Sequence, residues 1–184
     1  MRSFPPCLPS NLAFVCGLIL IFFPTPPFAD ARTLYVSKAG DGSTGESWET
    51  AYTSIAGALA SSASGDSIWV QGGLYNESLE LEPGVGLFGG FAGTEGESEF
   101  DLRDWEAHPT VIDASGTGNR VLEGADGVVV DGFTITGGRA SSGAGLHCAD
   151  ASMEIRNCVF TGNRSERESV VYLEEVRVEG GAIS

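Results

Sequence analysis

The chain has 184 residues and a mass of 19.2 kDa, material for one domain. Ten Lys and Arg stand against 25 Asp and Glu, a formal charge of -15, which speaks against a partner bound by neutralising phosphates, nucleic acid above all. Charged residues are only 19% and apolar ones 42%, so the chain is not a solvated acidic tail, and its 26 glycines without a collagen-like period point to short strands joined by tight turns.

In chain order, the first feature is an apolar run, Leu12 to Phe23, too short to cross a bilayer comfortably as a helix. Arg2 precedes it, and the Pro-rich stretch after it ends Ala29-Asp30-Ala31, a small-x-small cleavage pattern. Residues 1–31 therefore read as a secretory signal peptide cut between Ala31 and Arg32, leaving no membrane-spanning helix in an exported mature chain. The alternatives are an uncleaved anchor and a lipoprotein signal at Cys16. The second lacks the small residue expected before the Cys. Cys7 and Cys16 leave with the signal. Cys148 and Cys158 remain, either as an export-compatible disulfide or as two buried thiols.

Residues 32–66 form the next unit. Leu34-Tyr35-Val36 reads as a strand and Ala39 to Ser47 as a Gly/Ser loop. Trp48, Ala51, Tyr52, Ile55, Ala58 and Leu59 recur at helical spacing, which predicts an amphipathic helix of about three turns, with Ser47 or Thr50 as its cap. From residue 67 to 184 the grammar changes to short apolar or alternating runs punctuated by Gly, Asn and Asp. They include Ile68-Trp69-Val70, Leu79-Glu80-Leu81, Val85 to Phe88, Val111-Ile112, Val121-Leu122 and Val128-Val129-Val130.

The last third repeats. Residues 130–138, VDGFTITGG, align without a gap with residues 155–163, IRNCVFTGN. At the same spacing of 25 stand Leu146 with Val171 and His147 with Tyr172. Val128, Met153 and Val178 are then expected to form one column, Phe133, Cys158 and Ile183 a second, and Ile135 with Phe160 a third. A period near 25 built of strands and turns fits one coil of a parallel β-helix, an all-β solenoid in which each coil shields the apolar side of the one before. The helix at Trp48 to Leu59 is the expected N-terminal cap over the first exposed sheet edge. In this register Cys148 and Cys158 lie on different strands, across the interior from each other, which favours two buried thiols.

These residues resemble a known family. Leu34-Tyr35-Val36, Asp41-Gly42, Trp48, the Ala-rich helix, Gly65 to Val70 and Gly73-Leu74-Tyr75 resemble the N-terminal part of pectin-lyase-like right-handed parallel β-helix proteins. The stretch from Gly89-Gly90-Phe91 through Arg103-Asp104-Trp105-Glu106 to Thr110-Val111-Ile112-Asp113 is similar to a bacterial secreted or surface subset of them. Phe160-Thr161-Gly162-Asn163 and Gly180-Gly181-Ala182-Ile183 resemble the F-x-x-N and G-G-A-I motifs of polymorphic outer membrane protein repeats. The earlier copy, Ile135-Thr136-Gly137-Gly138, lacks the Phe and Asn, and Ser165 to Glu175 departs from the small-residue pattern. The last residue, Ser184, falls where a third coil would reach its own F-x-x-N, so the expected solenoid is incomplete at its C-terminus.

The resemblance implies a polysaccharide or surface-glycan partner, an outer-membrane, cell-surface or extracellular location, and, in lyases and hydrolases of the fold, stacked Asp, Arg or Lys, often with calcium. Asp131 and Arg156 are the residues here that fall side by side, either as a remnant catalytic pair or as an exterior ion pair. Asp101, Asp104, Glu106 and His108 surround Trp105. Asp104, Trp105 and His108 are thus candidates to bind calcium or flank a sugar-stacking ring; the alternative is a polar loop that pins Trp105. His108 and His147 have no zinc-type spacing with the Cys residues, no Gly-x-Ser-x-Gly is present, and no phosphate-cradling loop follows Asp41-Gly42. Asn163, within a glycosylation sequon, reads as a turn residue bonding its own coil. The expected function is an exported, non-catalytic repeat protein in adhesion or glycan contact without a cofactor; the alternative is a fragment of a polysaccharide lyase or glycoside hydrolase.

Overall fold

The computed structural model describes residues 31–167 in full and, beyond them, the backbone of three short strands. The proposed signal peptide, residues 1–30, and Gly180 and Gly181 of the second repeat motif lie outside the described residues. Among the described residues no helix is long and apolar enough to cross a membrane.

The chain runs β1 (Thr33–Val36), α1 (Ile55–Leu59), β2 (Ser67–Gln71), β3 (Gly73–Tyr75), β4 (Leu79–Glu80), β5 (Gly86–Phe91), β6 (Thr110–Asp113) and β7 (Leu122–Glu123). It continues through β8 (Val129–Asp131), β9 (Phe133–Thr136), β10 (Arg139–Ala140), β11 (Leu146–Cys148), β12 (Met153–Arg156), β13 (Val159–Thr161) and β14 (Arg164–Ser165). The last strands are β15 (Val171–Leu173), β16 (Val176–Glu179) and β17 (Ala182–Ile183). The fold is all-β apart from α1 and a 3-10 turn at Phe100–Leu102, and every strand pairing is parallel.

Three larger sheets are visited in rotation. The first has the order β1-β2-β5-β8-β12-β16, the second β3-β6-β9-β13-β17 and the third β4-β7-β11-β15; β10 and β14 add a small fourth. Side chains alternate across each strand, so one set from each sheet meets inside. Leu34, Ile68, Leu87, Val130 and Ile155 are successive register partners in the first sheet. Tyr75, Ile112, Ile135 and Phe160 follow one another in the second, and Leu79, Leu122 and Leu146 in the third. All twelve are at most 2% exposed and belong to one core, each large side chain contributing about 1.5–3 kcal/mol through burial. Cys148 and Cys158 are separate buried thiols in that core, and burial pushes the Cys158 thiol up to about 12, which leaves it unreactive.

The expected spacing holds between the last two complete passes. Asp131 pairs with Arg156, Ile135 with Phe160, Thr136 with Thr161, and Leu146 with Val171. The third pass departs from it: Val176, not Val178, is the partner of Met153, and Ile183 pairs with Phe160 rather than following Cys158. Four residues connect Cys148 to Met153, whereas two connect Leu173 to Val176. A connection shorter by two moves the register by two and keeps every residue on its original face.

The helix also differs from expectation. Only Ile55–Leu59 is helical, capped by Ser54, whose side chain accepts from the Gly57 N–H, and neither Ser47 nor Thr50 caps it. The chain before it is held against β1. Tyr52 N–H donates to the Tyr35 carbonyl, Ser37 N–H to the Tyr52 carbonyl, and Tyr35 N–H to the Gly45 carbonyl. These bonds occupy the outer edge of β1, so the helical periodicity divides between two cores. Ile55, Ala58 and Leu59 enter the interior, while Trp48 and Ala51 join an aromatic cluster outside the first sheet with Tyr35, Trp69, Phe88, Phe91 and Phe100.

Candidate functional site

Single residues in left-handed conformation turn the chain from the first sheet into the second. Gly132 (φ 83°) does so between β8 and β9, and Asn157 (φ 48°) at the equivalent place after β12. Asn carries the smallest penalty there after Gly. The turn aims the Asn157 amide back at the preceding strand, where its Nδ2 donates to Asp131 Oδ1 at 2.9 Å.

Asp131 faces outward from β8, directly after Phe88 in the register, yet it is only 3% exposed. The long connection between β5 and β6 covers it. Arg103 on that connection donates from Nη2 to Asp131 Oδ2 at 2.6 Å and from Nη1 to the Gly89 carbonyl at 3.2 Å. Its guanidinium lies over the rings of Phe100, Trp105 and Phe88, at 4.7, 5.2 and 5.6 Å from their centroids. The two charged side chains are 7% and 5% exposed. Such a pair holds its geometry because removing either charge strands the other in a low dielectric.

The connection itself is tied down at three points. Glu95 accepts from the Ala92, Gly93 and Thr94 N–H groups at 2.6, 2.9 and 2.9 Å; burial works to raise its carboxyl, and these bonds outweigh it, leaving the group below its ordinary value. Trp48 Nε1 donates to the Glu95 carbonyl. Asp104 N–H reaches the Gly90 carbonyl. At Gly90 (φ 89°) an added Cβ would lie 2.7 Å from the Trp105 backbone, so this glycine sets the approach of the aromatic loop.

Trp105, 36% exposed, stands at the edge of a shallow groove of about 430 Å3. Glu106, Thr110, Gly132, Phe133, Thr134, Asn157 and Val159 complete its lining. Thr134 and Val159 are register partners on the outer face of the second sheet. Trp105 and Val159 give the groove apolar surface, and Glu106, Thr110, Thr134 and Asn157 bring polar groups to it.

The other sequence-derived candidates are placed as follows. Asp131 and Arg156 are register neighbours, but they do not pair. Asp131 belongs to Arg103, and Arg156 donates to Glu154 at 2.6 Å. Asp131 is therefore neither an exterior ion-pair member nor presented to the groove, which has the Glu106 carboxylate as its ionisable lining group among the described residues. Asp104 is a turn residue. Its Oδ1 accepts from the Ala107 and Glu106 N–H groups, and these bonds hold its carboxyl below the usual range. His108 is exposed and does not line the groove. No set of three His, Cys, Asp or Glu side chains among the described residues converges as metal ligands do. In the repeat motif, Phe160 is buried and Asn163 reaches the preceding pass instead of its own. Its Nδ2 donates to the Ile135 carbonyl at 2.8 Å and its Oδ1 accepts from the Gly138 N–H at 2.9 Å.

Sequence reasoning missed Arg103 as the partner of Asp131 and Asn157 as their shared support. The second had a signal: Gly132 and Asn157 align in the repeat, and a Gly/Asn position marks positive φ. Arg103 had none, because its loop interrupts the periodicity.

No protein-family model matches this chain, and no curated protein or solved structure matches it either.

Proposed function

We propose that the protein is an exported, right-handed parallel β-helix of the pectin-lyase-like type, related to polymorphic outer membrane protein repeats, whose outer face serves in adhesion or glycan contact without catalysis. The rotation of the chain through three parallel sheets supports the solenoid, and crossovers between parallel strands are right-handed in about 98% of cases. A cut between Ala31 and Arg32 suits the contacts of Arg32 with Asp66. The Arg32 N–H donates to Asp66 Oδ1 at 2.9 Å, where a freed α-ammonium would make a charge-assisted bond to a side chain that is itself buried.

The observation that carries the binding role is the groove beside Trp105, with its exposed indole and polar rim. Its non-catalytic character rests on the engagement of Asp131 by Arg103 and Asn157, which leaves no free acid–base pair at the turn. Screening the protein against a glycan array, with Trp105→Ala in parallel, tests the reading. The expected result is binding of a glycan subset, weakened about fivefold or more by the loss of one stacking ring (~1–3 kcal/mol by analogy with base stacking). Absence of any glycan bound, or formation of unsaturated products from polygalacturonate, would contradict it; the latter would favour the lyase alternative.

A further inference from the structure

Among the described residues, four cations are held in ion pairs. Arg32 bonds Asp66, Arg103 bonds Asp131, Arg120 bonds Glu123, and Arg156 bonds Glu154. Arg139 and Arg164 are different. They are direct register partners in the parallel pair β10–β14, so their backbones lie one strand spacing apart, about 4.8 Å, and their side chains leave the sheet on the same face. Like charges in that position destabilise a sheet. Neither guanidinium has an ion-pair or hydrogen-bond partner among the described residues, and both are exposed.

The stacking is enforced by the backbone. Arg164 N–H donates to the Gly138 carbonyl, Glu166 N–H to Ala140 and Arg167 N–H to Ser141, at 2.9, 3.1 and 3.0 Å. Asn163, clamped between Ile135 and Gly138, locks the register immediately before Arg164. Both arginines line one concavity of about 480 Å3 with Gly118, Ala140, Ser141 and Glu166. Gly118, Arg139, Ala140 and Ser141 also line the adjoining concavity, so the two form a continuous trough that extends to Asn119, Arg120, Glu80 and Glu123. None of these residues lines the groove beside Trp105.

We propose that the Arg139–Arg164 stack is a binding site for a phosphate monoester carried on a sugar. One carboxylate balances one of the two charges. A phosphate monoester carries about −1.5 to −2 at neutral pH and offers three acceptor oxygens, so a single group satisfies both guanidinium forks. The trough beyond Arg139, with Ser141 and Asn119 on its wall, accommodates the attached ring. On a chain of net charge −15, the two stacked guanidinium groups concentrate positive charge at one end of the trough, away from Glu80 and Glu123 at the other. Glu166 is the carboxylate at the concavity, and it opposes binding.

Calorimetric titration of the protein with glucose 6-phosphate, inorganic phosphate, glucose and galacturonate tests the site. Saturable binding of glucose 6-phosphate is expected, with glucose silent and galacturonate weaker. Affinity should fall with added salt, and should fall as pH drops through about 6, where the phosphate loses its second charge. Tighter binding of glucose 6-phosphate than of inorganic phosphate assigns the trough to the sugar; equal binding overturns that half of the proposal and leaves a free-phosphate site. Arg139→Gln with Arg164→Gln should weaken binding at least tenfold, and Glu166→Gln should strengthen it, a gain that a damaged fold would not produce. Phosphate binding that survives the double substitution, or galacturonate bound as tightly as glucose 6-phosphate, overturns the proposal. Trp105→Ala is expected to leave this binding unchanged, so the outcome is independent of the glycan array.

Discussion

Removing the Asp131 carboxylate leaves the Arg103 guanidinium buried beneath Phe88, Phe100 and Trp105 without its counter-charge. An uncompensated charge in such a setting costs about 3–5 kcal/mol. Asp131→Ala is therefore expected to lower the stability to urea by that order, whereas Arg103→Met with Asp131→Leu should recover much of it, since matched apolar replacements of buried pairs are often neutral. Equal losses in the single and double variants would mean that the pair is solvated and only weakly coupled. At this scale the sequence was legible where one pass repeats another: Asp131 and Arg156 do stand side by side. It was not legible where a partner comes from outside the repeat. An Arg twenty-eight positions upstream in an insertion leaves no periodic trace, and it changes a presumed surface carboxylate into a buried one.

Among the elements, the connection between β5 and β6 makes the outer face of the first sheet different from end to end. Under it the outward column runs Tyr35, Trp69, Phe88 and then turns to Asp131 and Arg156. Gly90 is the point on which that cover rests, both for its positive φ and for its closeness to Trp105. Gly90→Ala is expected to lift the loop, seen as faster amide exchange at Asp104 and His108, with a loss of about 1–2 kcal/mol for the strained backbone. Unchanged exchange would show that the loop is held by Glu95 and Trp48 alone. The helix shows a limit of pattern reading. The apolar spacing from Trp48 to Leu59 was visible, but it serves two cores, because Gly45 and Tyr52 commit the preceding backbone to the edge of β1. Short strands and their turns were easier to read, since Gly, Asn and Asp punctuate the short apolar runs.

For the whole molecule, the governing idea is that the chain returns to each sheet in turn and lays parallel strands on earlier ones. The spacing of 25 exposed this only between two passes. Earlier returns are uneven: Gly86 pairs with Val129 and Gly73 with Thr110, because insertions lengthen some passes and hide the period. The later two-residue shift that places Val176 beside Met153 was hidden for a different reason. A slip of two conserves the inward and outward pattern, so hydropathy alone cannot detect it. Amide nuclear Overhauser contacts in the isotope-labelled protein test the stacking most directly. Contacts between the amide and α protons of Val130 and Ile155, and of Ile135 and Phe160, in the slanted pattern of parallel strands are the expected result. Antiparallel contacts, or none between those pairs, would contradict it.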